Sequence, residues 1–279
     1  MSLTFKNAPL IELIAEVRWN PVSMQTAFFP GAQQIPGVIG QPQVLIMNNV
    51  NVENFLQTLG GELYQRTYRR TERIIPYGFT PPPFQQICRY RSDADGKAST
   101  LYQAGFGIFS AHALPPYKSW QDFAPVVSDG IDSVIVARAP EEKDTPFAGV
   151  SLKYIDAFKE PLTEGRDIAG FLSDVLGFKL SIPEVLQGKV APNGREKPSI
   201  ILAVPLANGM RMDLSIGEGA FNGEVAVLME ATVTSDASTP SNRDAAMAVF
   251  EQAHDVIHDV FVNITQPIHH LMQPQENPS

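Results

Sequence analysis

The stretch "AHDVIHDVF" (253–261) carries the residues best spaced for chemistry. His254 and His258 stand four apart, and Asp255 follows the first. On a helix this spacing turns two imidazoles to one face, as in the H-E-x-x-H pattern that holds zinc with a glutamate as base. Aspartate is one methylene shorter and would have to reach a metal-bound water from a different backbone position. No third ligand follows at a suitable distance, since His269 and His270 come only after Pro267. Helical phase gives another reading. With Phe250 as origin and about 100° per residue, Ala253, Ile257, Phe261, Ile264 and Ile268 form one apolar stripe. His254 falls inside it at about 40° and His258 on its edge at about 80°, while Asp255 and Asp259 point away at about 140° and 180°. The expectation is a packing helix with His254 hydrogen-bonded at the core's edge, and neither metal nor cofactor. The alternative is metal-assisted or acid–base hydrolysis by His254 and His258.

A second stretch, "SLKYIDAF" (151–158), alternates as a strand. Alternation puts Lys153 and Ile155 on one face and Tyr154 and Asp156 on the other. Asp156, near the strand's end, is placed to cap a turn, pair with an arginine or bind a ligand. Other patterns fall short of chemistry. Gly105 and Gly107 form a G-x-G without a third glycine or a following helix, so a dinucleotide fingerprint is not made. A bulge or a close approach of side chain to backbone is expected there. "GEGAFNG" (217–223) lacks the Gly-Lys-Ser/Thr of a phosphate loop and reads as a hairpin loop. There is no G-x-S-x-G. Cys88 lies on an expected strand between Ile87 and Arg89, where a buried thiol is inert. Asp213, Glu218 and Glu230 cluster around one hairpin, but spacing alone does not bring two of them to catalytic distance.

The scaffold for these residues follows from composition and pattern. The chain has 279 residues, 44% apolar and 18% charged, enough to bury a core. A net charge of −9 and a pI near 5.0 argue against nucleic-acid binding. Arg66, Arg69, Arg70 and Arg73 form the one dense basic cluster, and a nucleic-acid adaptor built on it is the least favoured reading. The single cysteine excludes an intramolecular disulfide and suits a reducing compartment. Glu12 and Glu16 interrupt the first apolar run, so no signal peptide is expected. No run of about 18 apolar residues occurs, so no membrane span is expected either. The expected setting is the cytoplasm.

Along the chain, 9–19 and 43–50 read as strands, and 51–70 as a helix that Gly60-Gly61 ends. "QQICRYRSD" and "STLYQAGFGIFSAHAL" flank an Asp-Gly turn and predict a hairpin. Ser119 caps a helix over 119–138, and 147–158 is a strand. A short helix ends at Gly177. A second hairpin turns at Asn208-Gly209 in type I′ geometry, 223–235 is a further strand, and a final helix runs from about Ser241 to His270, bent at Pro267. Hairpins rather than βαβ units predict an α+β fold: a mostly antiparallel, curved sheet with two long helices packed on one face. One domain over 1–279 is expected, with sub-halves 1–160 and 161–279 that weakly echo each other.

Four blocks together resemble a sporadically distributed bacterial family of uncharacterised proteins of about this length. They are "KNAPLIELIAEVRW", "YKSWQDF" (117–123), "LKYIDAF" (152–158) and H-x6-F from His254 to Phe261. In that family the third block usually reads Leu-Arg-Tyr-Ile-Asp. Lys153 stands here for the arginine, which would weaken a bidentate contact. His254 matches the family block and His258 matches none. The resemblance implies a single domain and no particular activity, and its patchy distribution points to mobile-element, toxin-neutralising or phage-defence settings. The resulting expectation is a non-enzymatic binding or interaction protein for a protein partner or small ligand. A homodimer is left open. The candidate binding residues are Tyr117, Trp120, Lys153, Tyr154, Asp156 and His254, with Phe123 and Phe158 lining or supporting the groove.

Overall fold

The computed structural model describes residues 3–21, 49–77, 81–92, 98–116, 119–181, 183–191 and 194–276. Apolar alternation builds the centre of the fold. In β2 (Leu10–Trp19), Leu13, Ala15, Val17 and Trp19 are buried, and the residues between them face the other way. β2 pairs on one side with β6 (Ile108–Ala113) and on the other with β7 (Phe147–Phe158). Six more strands extend the pattern: β3 (Arg70–Arg73), β4 (Gln86–Arg91), β5 (Thr100–Gly105), β8 (Ile200–Pro205), β9 (Arg211–Phe221) and β10 (Glu224–Ser235). The sheet has nine strands in the order β3-β4-β5-β6-β2-β7-β10-β9-β8, and each neighbouring pair is antiparallel. It is open, with β3 and β8 as its edges. A separate two-stranded sheet joins β1 (Leu3–Phe5) to β11 (Pro274–Glu276).

Three long helices form, one more than expected: α1 (Asn49–Gln65), α2 (Trp120–Ala137) and α3 (Arg243–Ile264). α1 packs on α2, α2 on α3, and α3 lies on β7 and β10. Residues directly opposite across a ladder share a face, so Leu13, Ala113 and Tyr154 point one way, as do Ala15, Ala111 and Leu152. Ser119 caps α2 by accepting from the Asp122 amide, and Asn242 caps α3 by accepting from the Ala245 amide, each satisfying a donor the helix cannot. Among the described residues no helix is long and apolar enough to cross a membrane.

Several local expectations are corrected. α1 runs through Gly60-Gly61 because Leu59 and Leu63 on either side are fully buried, and a side chain at Gly60 would press on the Tyr90 ring. Asn49 and Val50 open that helix rather than closing a strand, and 43–48 lie outside the described residues. The stretch after residue 98 is two strands. β5 turns into β6 at Phe106-Gly107, with Gly107 at φ +74°, and a Cβ on Gly105 would sit 1.8 Å from the Gln85 carbonyl oxygen. Both glycines are therefore structural. The tight turn with two positive φ angles is at Asn222 (52°) and Gly223 (80°), joining β9 to β10. Around Asn208-Gly209 the loop is longer, and Leu206 N–H donates to the Met210 carbonyl. The first half of the chain runs β2, α1, β3 to β6, α2; the second runs β7, short turns, β8 to β10, α3.

Candidate functional site

Where β7, α2 and α3 meet beneath β1, the structure leaves a recess of about 310 Å³. β7 sends Tyr154 and Asp156 into it from the helix-facing side of the sheet. α2 contributes Trp120 from its first turn, and α3 contributes His254, Ile257 and His258. Leu3 and Phe5 of β1 form its roof. Four of the expected binding residues, Trp120, Tyr154, Asp156 and His254, thus come together. Tyr117 lies outside the described residues. Phe123 and Phe158 are core, 2% and 0% exposed.

The rings are ordered by stacking. Trp120 and His254 lie 5.3 Å apart and 15° from parallel, and Tyr154 stacks on the same imidazole at 6.2 Å and 28°. The Tyr154 hydroxyl and His254 Nδ1 share a hydrogen bond of 2.7 Å. Trp120 Nε1 donates to Glu251 Oε2 at 2.7 Å, tying α2 to α3. His258 Nε2 lies 2.8 Å from the Leu3 carbonyl oxygen. A carbonyl only accepts, so His258 donates through Nε2, and no partner is seen for Nδ1 among the described residues.

Electrostatics separate the two acid–base groups. Burial pulls His254 down to about 4, helped by the nearby His258, so its ring is neutral at physiological pH. Asp156 is 2% exposed, and burial pushes its carboxyl up to about 8. Among the described residues nothing hydrogen-bonds or ion-pairs with that carboxyl. Its neighbours below the recess are apolar: Leu214, Met229, Ile257 and Phe261. An unpartnered buried carboxyl costs stability, which is the usual mark of a functional position.

The opposite face of the sheet is different in kind. Lys153 lies there, 3.1 Å from Glu230, and so is separated from Tyr154 and Asp156 by the sheet itself. A broader depression of about 630 Å³ covers this face. Its charges are mutually paired: Arg18 with Glu16, and Arg211 with Asp213 and Asp236. Sequence reading missed a chain within it. Glu12 Oε1 is 2.8 Å from His112 Nδ1, and His112 Nε2 is 2.8 Å from Ser110 Oγ. The order is that of a hydrolase triad, but Ser110 is 0% exposed and its backbone lies in the ladder between β2 and β5. The arrangement fixes His112; it offers no nucleophile.

The remaining candidates are engaged elsewhere. Arg66 bonds Asp129 at 2.7 Å, and Arg73 grips Glu53 with both terminal nitrogens at 3.0 and 2.6 Å. Glu218 pairs with Lys197. Cys88 is buried, and burial raises its thiol. Asp255 and Asp259 are exposed on the far side of α3. Among the described residues no three of His, Cys, Asp and Glu gather as metal ligands. A metal at His254 and His258 would find one nitrogen of each ring already bonded. No family model matches the chain, and no curated protein matches it.

Proposed function

We propose that the chain is a small-molecule-binding protein whose site is the recess between β7, α2 and α3. The observation that carries this is the Asp156 carboxyl, without a hydrogen-bond or ion-pair partner among the described residues, in an aromatic, mostly apolar recess. Small-ligand sites combine this kind of lining with a few converging polar groups, and about 300 Å³ is the lower end of their size range. The concave opposite face is larger, yet its charges already satisfy one another, so it supports the reading less well. An accessory role in a defence or mobile-element setting rests on the sequence resemblance alone.

The reading is tested by a thermal-shift screen of small fragments against two variants. Gln121, exposed at the recess, is replaced in Gln121→Phe to narrow the entrance. Lys153→Ala alters the opposite face. Fragments that stabilise the protein should lose their effect in Gln121→Phe and keep it in Lys153→Ala. The reverse pattern would move the site to the other face and defeat the proposal.

A second reading, acid–base hydrolysis in the same recess, has one observation behind it: a carboxyl raised to about 8 lines the same space as an imidazole lowered to about 4. Groups whose environments push them apart are how acid and base roles are divided. Turnover of activated esters that falls in both Asp156→Asn and His254→Asn would favour it over simple binding.

A further inference from the structure

We infer that the recess takes a small organic cation, an aromatic or short alkyl amine whose ammonium group pairs with Asp156 beside the Trp120 and Tyr154 rings. This rests on the recess being the ligand site. Three features of the recess converge on a cation. First, the Asp156 carboxyl can give up its proton and accept from a cation. Asp156 has no partner among the described residues, and His258 donates through Nε2 to Leu3, which leaves Nδ1 open. Second, the walls are rich in aromatic rings, and an ammonium is attracted to the negative face of Trp, Tyr or Phe. Phe5 and Phe261 meet edge to face at 6.0 Å and add to Trp120 and Tyr154. Third, the surface carries a net charge of −9, which draws cations toward it. Among the described residues Lys6, at the exposed mouth, is the one lysine or arginine in the lining.

A neutral ligand carbonyl is the chief competitor, since a protonated Asp156 can donate to it. Such a ligand would leave His258 Nδ1 without a donor and the ring faces without a charge. The two cases differ in a proton. If an ammonium R–NH3+ binds, Asp156 changes from COOH to COO⁻ and its proton passes to the buffer. The titratable groups facing it are Tyr154 from the same strand, His254 and His258 from α3, and Lys6 from the β1–β2 connection. Burial has raised the carboxyl so that it holds this proton near neutral pH.

The test is calorimetric titration of the full chain at about pH 7 with 2-phenylethylamine, phenylacetamide and phenylacetate. The amine should bind about tenfold more tightly than the other two or better. Its apparent enthalpy should differ between phosphate and Tris buffers by an amount equal to the release of about one proton. In Asp156→Asn the amide should still bind and the amine's advantage should vanish. Equal affinities, no proton release in the wild type, or an amine preference that survives Asp156→Asn would overturn the cation while leaving the site intact. If none of the three probes binds, the site itself falls, and the cation with it.

Discussion

Asp156 and His254 make opposite demands on pH, and the signs can be separated. Asp156 titrates near 4 when unfolded and near 8 when folded, so between those values the folded state holds the extra proton. Its contribution is fully present below about pH 4 and is lost as pH rises toward 8, with an upper bound of about 5 kcal/mol. His254 runs the other way. Its folded value of about 4 lies below the ordinary 6.5, so its contribution is present above 6.5 and lost as pH falls through 4. The two slopes oppose each other between about 4 and 6.5, and Asp156 acts alone between about 6.5 and 8. Comparing the wild type with Asp156→Asn cancels the histidine. Urea unfolding across that range should show the variant gaining on the wild type by roughly 1.5–2 kcal/mol as pH rises from about 6.5 to 8. Parallel curves would mean that Asp156 has a partner in solution. Strand parity revealed from sequence that Tyr154 and Asp156 share a face, and helical phase placed His254 in the packing stripe. That His254 stacks on both Trp120 and Tyr154 was not legible, because contacts across 134 and 100 residues leave no trace in one sequence.

At the scale of elements, two glycines in two helices should respond oppositely to the same change. Gly61 is exposed in α1, and a Cβ there meets nothing within 4 Å. Gly61→Ala should stabilise the protein by about 0.5–1 kcal/mol through helix propensity. Gly130 lies buried where α2 crosses β5 and β6, and its Cβ would be 2.7 Å from both the Phe109 and Tyr102 rings. Gly130→Ala should destabilise by about 1–3 kcal/mol, less the propensity gain. Chemical denaturation of both variants checks the pair, and a stabilising Gly130→Ala would contradict the packing of α2 on the sheet. The Gly60-Gly61 pair suggested a helix end, whereas the single Gly130 drew no such reading, and neither pattern shows what a side chain would meet. What separates them is a tertiary neighbour, which explains why α1 was expected to stop where it continues. For the same reason Asn208-Gly209 and Asn222-Gly223 could not be ranked: both dipeptides suit a tight turn, and strand register decides which one makes it.

At the scale of the whole molecule, the two ends of the described chain meet over the site. β1 pairs with β11, Asn7 Nδ2 donates to the Leu271 carbonyl, and Phe5 packs on His269 with ring centres 4.8 Å apart. The alternating β2 and β7 were readable as strands, and with them the α+β class. The closure of β1 over α3 was not, because a three-residue strand carries no period. It follows that Phe5 belongs to the roof more than to the core. Phe5→Ala should cost about 1–2 kcal/mol of stability, the burial of half a ring, and should weaken any recess ligand by more than that loss alone explains. Thermal unfolding and a binding titration on the same variant would show this.

The central claim, that the recess is where a ligand binds, has a built-in reporter. The chain has two tryptophans. Trp120 lines the recess, whereas Trp19 is buried elsewhere with its Nε1 donating to Glu142. Indole ¹⁵N–¹H spectra recorded while titrating 2-phenylethylamine should show the Trp120 resonance moving and Trp19 standing still. Movement of Trp19 alone, or of neither indole at saturating probe, would contradict the account.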